Sequence, residues 1–406
     1  MNKSLIKKLL TGYKSAYSGL PTDVWLLSFV VFINRSGSMV LFFLAIYLTQ
    51  KLNFSVSEAG RMISVYGIGS MTGAFLGGWL SDRFGTGKVQ LYSLLFSGIG
   101  FIILGYVTTP VSIAVTLFLL AAVADAFRPA NATALAGACP PELRSRGFAL
   151  NRLAINFGIA IGPAVGGVLA TMNYHYLFWA DGLTCIFASV FFWLFFHKVK
   201  FKKAPPEESG PADISPWRDL VFLSMLGLLL VMGILFVQIF NTWPLYLRQI
   251  TGFPENNIGF LLALNALLVV FMEMPLVHRL ERADPVKIMG IGSFLLFAGF
   301  GIIPFSDSYG YIMFTVVVWT IGEMLVFPLA GGFIANRATD RNRGRYMGMF
   351  TFSFAISFVI GPATGTWIYD TFGPVNLWYS AGITGIFIWL GFGLIKQMLK
   401  REERVS

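Results

Sequence analysis

Three acidic side chains stand inside long apolar stretches, where an ionisable group is costly and marks a path or a partner. Asp125 lies in AAVADAFRPA, Glu273 in VVFMEMPLVH and Glu323 in WTIGEMLVFP. A carboxyl in poorly solvated surroundings can load and unload a proton near neutral pH, so the chemistry on offer is reversible protonation. Glu323 has no basic residue nearby in its own stretch and is the first choice as proton carrier. Asp125 has Arg128 at i+3, close enough to pair, and the two read as a structural or coupling pair. Glu273 has His278, Arg279 and the following loop within reach. Arg35, beside Asn34, is either a counter-ion to Glu323 or Asp125 or a contact for an anionic ligand. Gln238 and Asn241 add amides just before the kink expected at Pro244.

Other chemistries find no support. His175, His197 and His278 are far apart and near the ends of apolar stretches, so no metal set is expected. There is no Gly-x-Ser-x-Gly elbow and no phosphate-loop lysine pattern. No enzyme activity and no cofactor are expected. Cys139 and Cys185 are placed too differently to be read as a bridge.

The elements that must carry these residues follow from composition. The chain is 56% apolar and only 12% charged, against roughly 25% charged in soluble domains. Its apolar residues fall in stretches of about 20, the length of a helix that crosses a hydrocarbon core. Twelve spans are predicted, at 24–48, 57–80, 89–107, 111–136, 147–172, 176–197, 219–247, 256–279, 287–305, 310–336, 346–370 and 375–397.

The net charge of +10 raises nucleic acid as a partner, and the placement of the charge removes it. Lys51 and Arg248 lie in connections on one side; Arg35, Arg61, Arg128 and Arg152 lie within spans; all the other Lys and Arg fall on the opposite side. Basic residues stay cytoplasmic, so both termini and the central linker are expected in the cytoplasm. Residues 1–22 form a basic N-terminal segment, either a short helix on the inner membrane surface or an irregular tail.

A Lys-, Glu- and Pro-rich linker at 198–218 divides the spans into two bundles, 23–197 and 219–397, with a tail at 398–406. The bundles repeat one another. Without gaps, Tyr47-Leu48 falls on Tyr246-Leu247, Gly60 on Gly259, Asp82-Arg83 on Glu281-Arg282 and Pro129 on Pro328. In the same register Gly162-Pro163 meets Gly361-Pro362, Gly166 meets Gly365, and Trp179 meets Trp378. Halves of even span number share one orientation, so their symmetry axis runs along the membrane normal, with a substrate site at mid-depth between them.

The motif Gly78-Trp-Leu-Ser-Asp82-Arg83-Phe-Gly85-Thr-Gly87-Lys88 resembles the loop signature of the major facilitator superfamily. Thr86 stands where a basic residue is usual, and one extra residue precedes Lys88. Gly158, Gly162, Pro163, Gly166 and Gly167 in span 5 are similar to a signature of the bacterial drug:proton antiporters. The resemblance implies an all-α membrane protein with twelve transmembrane helices in two pseudo-symmetric six-helix bundles. It also implies that spans 1, 4, 7 and 10 line a central cavity, which places Asn34, Arg35, Asp125, Arg128, Gln238, Asn241 and Glu323 around it. Asp82 would meet the N-terminal end of span 11 and lock the cytoplasmic side, with Glu281-Arg282 doing the same in the other half. Gly158, Gly162, Gly166, Gly361 and Gly365 have packing roles, and Pro163 and Pro362 allow bending.

The reading is a monomeric, proton-coupled exporter of small amphipathic molecules in the bacterial inner membrane, working by alternating access. A proton-coupled importer of a sugar or short peptide is the alternative.

Overall fold

The computed structural model describes residues 19–140, 143–197, 199, 215–280, 283–338 and 342–405. They form twelve helices in two six-helix halves. The first half holds α1 (Thr22–Ser36 continuing as Val40–Gln50), α2 (Val56–Phe84), α3 (Thr86–Leu104), α4 (Pro110–Asp125 continuing as Phe127–Ala138), α5 (Arg144–Met172) and α6 (Tyr174–Phe196). The second holds α7 (Leu220–Phe236, a 3₁₀ turn Val237–Phe240, then Thr242–Gln249), α8 (Glu255–Leu280), α9 (Pro285–Gly301), α10 (Tyr309–Arg337), α11 (Arg343–Phe372) and α12 (Pro374–Val405). Eleven of the twelve are long and apolar enough to cross a membrane. The exception is α2, whose 29 residues would span but are diluted by six glycines and by Glu58, Arg61, Asp82 and Arg83.

The helix starts are written in the sequence. Ser55 and Glu58 close a capping box on α2, Thr109-Pro110 opens α4, Asp284-Pro285 opens α9 and Ser308 caps α10. Gly85 alone separates α2 from α3 at φ +90°, and Gly373 alone separates α11 from α12 at φ +95°. A side chain is strained at such angles, so glycine is what permits these one-residue corners.

Glycines at four-residue spacing set the packing inside each half. A Cβ at Gly158 would lie 2.5 Å from Arg35 Cβ, one at Gly162 2.7 Å from Ser38 O, and one at Gly166 2.8 Å from Met39 Cβ. Thus α5 lies backbone-close along α1. The second half repeats the device: a Cβ at Gly361 would lie 3.0 Å from Ile234 O on α7, and one at Gly365 would strike Gln238. Gly69, Gly73 and Gly77 bring α2 equally close to α4.

Three helices are interrupted where these contacts fall, α4 at Ala126 and, more widely, α1 and α7. In α1 the break spans Gly37 to Met39, and a buried carboxyl from α6, Asp181, accepts the N–H groups of Met39 and Val40, each at 3.0 Å. A helix start deep in apolar surroundings is thereby satisfied, with an acid at its positive end. In α7 the break precedes Pro244 rather than falling at it. The helix restarts at Thr242, so Pro244 sits in a first turn whose N–H groups have no intrahelical partner anyway.

At the end of the molecule carrying Thr22 and Val405, called here the terminal end, Asp219 caps α7 through Phe222 N–H at 2.9 Å. It also receives Arg337 at 2.6 and 2.7 Å and the Tyr346 hydroxyl at 2.9 Å. Arg337 reaches Glu402 at 2.9 Å, which ties in the end of α12. The expected tail at 398–406 is therefore a helix as far as Val405. Residues 1–18, most of the linker 198–218, and Glu281-Arg282 lie outside the described residues.

Burial alone would push the Asp219 carboxyl up, but Arg337, Phe222 N–H and Tyr346 outweigh it and hold it below the ordinary carboxylate range. A depressed acid contributes stability above its ordinary pKa and loses it as pH falls through the lower folded value. Asp219→Asn should therefore destabilise the purified protein by roughly 3 kcal/mol at pH 7, as expected for breaking a buried pair. The difference in melting temperature from the parent should shrink as the buffer is taken below about pH 4. Asp181→Ala strands two buried N–H groups, at about 1–3 kcal/mol each, and should lower melting more than Asp181→Asn, which keeps an acceptor.

Candidate functional site

The halves meet along two seams, α2 with α11 and α5 with α8. At the end opposite the termini, the distal end, both seams are tight. A Cβ at Gly67 would lie 2.5 Å from Phe358 O, and one at Gly60 would collide with Thr366 on α11. On the other seam, Gly259 and Gly167 pack against the backbones of Pro163 and Glu255. Polar contacts bridge the halves here: Tyr174 Oη donates to Glu255 at 2.5 Å, Arg248 to Gln50 at 3.3 Å, and Ser57 to Asp370 at 2.9 Å. Ala363 N–H donates to Ser64 at 3.2 Å. Toward the terminal end α2 and α11 diverge: a Cβ at Gly78 or at Gly348 would meet nothing within 4 Å. The α2–α11 seam is thus closed distally and open toward the terminal end, while α5 and α8 stay in contact as far as Arg152 and Glu273.

Two cavities lie between the halves. The larger, about 550 Å³, is walled by Phe236, Phe240, Phe327, Phe350, Phe354 and Phe358, and Arg152 is the charged residue on its lining. The smaller, about 130 Å³, contains Glu323 with Asn265 and Asn156, and shares Phe236 and Phe240 with the larger. Asn265 Nδ2 donates to Glu323 Oε2 at 2.8 Å and to Thr320 Oγ1 at 3.0 Å. The hydrogen-bond partner of Glu323 among the described residues is thus an amide, not a cation. A carboxyl so placed can hold or release a proton without breaking an ion pair.

Glu273 has a different partner from those expected. It pairs with Arg152 of α5, in the other half, rather than with His278 or Arg279. Both α5 and α8 run along the seam, so the nearest base lies across it and not in the same helix. The pair is one-sided: the Arg152 side chain is 54% exposed and that of Glu273 10%.

Asp125 receives Arg128 at 2.7 Å, the pairing expected from their spacing, and also the Ser70 hydroxyl. Arg35 lies in the electrostatic field of Asp125, Arg128 and Tyr66, and its Nε is buried without a hydrogen bond. These residues are gathered inside the first half, away from the lining of either cavity.

Three expected cavity residues face elsewhere. Gln238 is buried and donates to Gly361 O at 2.8 Å, fastening α7 to α11. Asn241 is fully buried and donates to Val237 O at 3.0 Å, serving the helix break. Asn34 donates to Cys185 Sγ of α6 at 3.4 Å; both cysteines are free thiols. At a broken helix an amide is more use to stranded backbone groups than to a cavity. Asp82, Arg83, Gly85 and Lys88 are exposed at the terminal end, with the Arg83 guanidinium 5.4 Å from the Trp79 ring.

Sequence reasoning missed Asp181, Asn265 and Arg152 as partners. Asp181 sits in an apolar stretch as Glu323 does, and only its neighbour in space shows that it serves α1. Asn265 stands in LLALNALLVV, an isolated polar residue that could have been flagged.

A family model of the Major Facilitator Superfamily matches residues 24–338 and 243–405. The uncharacterized MFS-type transporter YqjV of Bacillus subtilis (strain 168) is 27% identical over 355 residues, 84% of this chain and 85% of that one. A Na(+), Li(+), K(+)/H(+) antiporter of Planococcus maritimus is 26% identical, covering 88% of this chain and 90% of its own. The multidrug resistance protein MdtH of Photorhabdus laumondii is 22% identical, with 86% and 88% covered. Among solved structures, a POT family transporter in complex with a thioalcohol-conjugated peptide superposes with a TM-score of 0.79 at 16% identity, over 94% of this chain and 97% of that one. That likeness is one of fold.

The distal seam yields a test. Gly67→Leu removes the close approach of α2 to α11 and should shift the population toward a distally open form. Spin labels at Asn53 and Thr251, in distal loops of the two halves, should then move apart; an unchanged distance distribution would show that this contact does not hold the seam.

Proposed function

The chain belongs to the major facilitator superfamily, and from that premise we propose that it is a proton-coupled antiporter that exports small amphipathic molecules. The observation that carries the reading is Glu323: a carboxyl held by one amide, in a small cavity between the halves that shares its aromatic wall with a larger one. Proton and cargo thus occupy neighbouring chambers, and ring movements of Phe236 or Phe240 reach both.

In this reading the terminal end faces the cytoplasm, as the placement of Lys and Arg requires, and the conformation is the inward-open one. Cargo enters the larger cavity from the cytoplasm. Closure of the terminal end and parting of the distal seam expose it outside, where Glu323 takes a proton that is released inward on return. The names of two relatives, a multidrug resistance protein and a cation/proton antiporter, agree with export and with proton exchange. The walls of the larger cavity, six phenylalanines and one arginine, suit apolar ring systems better than a sugar.

The test uses proteoliposomes oriented with the terminal end outward, an acidic lumen, and a panel of aromatic amphipathic dyes. Antiport fills the lumen with dye as protons leave it; dye and protons moving together would establish the importer alternative instead. Glu323→Gln should abolish accumulation driven by the pH gradient while dye still binds. Coupling that survives the substitution would take the proton site away from Glu323.

A further inference from the structure

We propose that the larger cavity selects aromatic molecules bearing an anionic group, and that Arg152 is the residue that binds that group. The inference deepens the export reading and rests on it in treating the occupant as cargo.

The cavity offers a ligand two kinds of surface. Six phenylalanine rings from α7, α10 and α11 give an apolar wall for a ring system. Facing them from α5 is one charge, the guanidinium of Arg152. Although Arg152 is paired, the pair is not electrically neutral as seen from the cavity. The acid is turned into the α5–α8 seam with its side chain 10% exposed, while the guanidinium is 54% exposed. A guanidinium carries five N–H donors in a planar fork, and the contact with Glu273 engages Nη2. The remaining donors are free to meet a carboxylate or sulfonate without displacing Glu273.

A cationic ligand meets the opposite arrangement. It would approach a positive group first, and to reach Glu273 it would have to expel Arg152 from a pair that already satisfies the acid. The second carboxyl, Glu323, lines the smaller cavity and not the larger, the two sharing Phe236 and Phe240. An aromatic cation therefore has ring contacts but no accessible counter-charge, whereas an aromatic anion has both. The apolar wall admits the ring system and Arg152 discriminates by charge.

Three ligands with the same ring system separate these contributions: 9-anthroate, the neutral 9-anthracenemethanol, and the cationic 9-(aminomethyl)anthracene. Binding is read by fluorescence anisotropy on the full chain in phosphatidylcholine nanodiscs, with empty discs subtracted. Anthroate should bind about tenfold more tightly than the amine, the scale of a hydrogen bond to a charged group. Because Arg152→Gln alone would strand the buried Glu273, the informative variant is Arg152→Gln with Glu273→Gln. It should weaken anthroate by about tenfold and leave 9-anthracenemethanol unchanged. The amine binding as tightly as anthroate, or equal weakening of all three ligands by the double variant, would overturn the proposal. Displacement of anthroate by phosphatidylglycerol in the disc would also overturn it, by making the occupant a lipid. No pH gradient enters the measurement, so a failed antiport assay with Glu323→Gln leaves this result standing, and the reverse holds.

Discussion

Water does not reach the hydrocarbon core, so every backbone N–H and C=O there needs a partner within the protein. A continuous helix meets most of that demand within itself. The breaks in α1 and α7 do not, and the residues around them exist to repair the damage. Asp181 reaches from α6 to the stranded N–H groups of α1, while Gln238 and Asn241 do related work within and beside α7. The broken segments face α5 and α11, whose glycines let the backbones approach closely. Each half thus packs α1 with α5, or α7 with α11, backbone to backbone.

The seams between the halves are built differently from the packing within them. Close glycine contacts hold α2 to α11 over only part of their length, and beyond Gly67 the helices diverge. Arg152 and Glu273 are the charged pair that crosses the seam beside the cavities. Along the chain they are 121 residues apart, yet they lie where Glu323, Asn265 and the phenylalanine wall converge.

Much of this was legible before any coordinates. Span positions followed from apolar length, and the register of the repeat brought Gly162-Pro163 onto Gly361-Pro362, which occupy matching places in the two halves. The Asp125–Arg128 pair followed from i+3 spacing. What sequence could not supply was azimuth. Depth along a helix is a count of residues, but the direction a side chain takes depends on which helix lies beside it. Gln238 and Asn241 were therefore placed at the right depth and facing the wrong way. Glu273 was given neighbours on its own helix because partners from the other half cannot be counted along the chain. Asp181 went unread because its job is defined by a break in α1 that no proline or charge announces.

The distal closure combines close glycine packing with polar contacts: a tyrosine on a glutamate, an arginine on a glutamine, serines on an aspartate and on a backbone amide. When the seam parts, water replaces each of these polar bonds, so they cost little free energy to open compared with oily surface. A bias of about 1.4 kcal/mol, the worth of one pH unit on one titrating group, changes the ratio of closed to open forms tenfold. The hydratable latches are the part of the closure that water itself takes over as it parts.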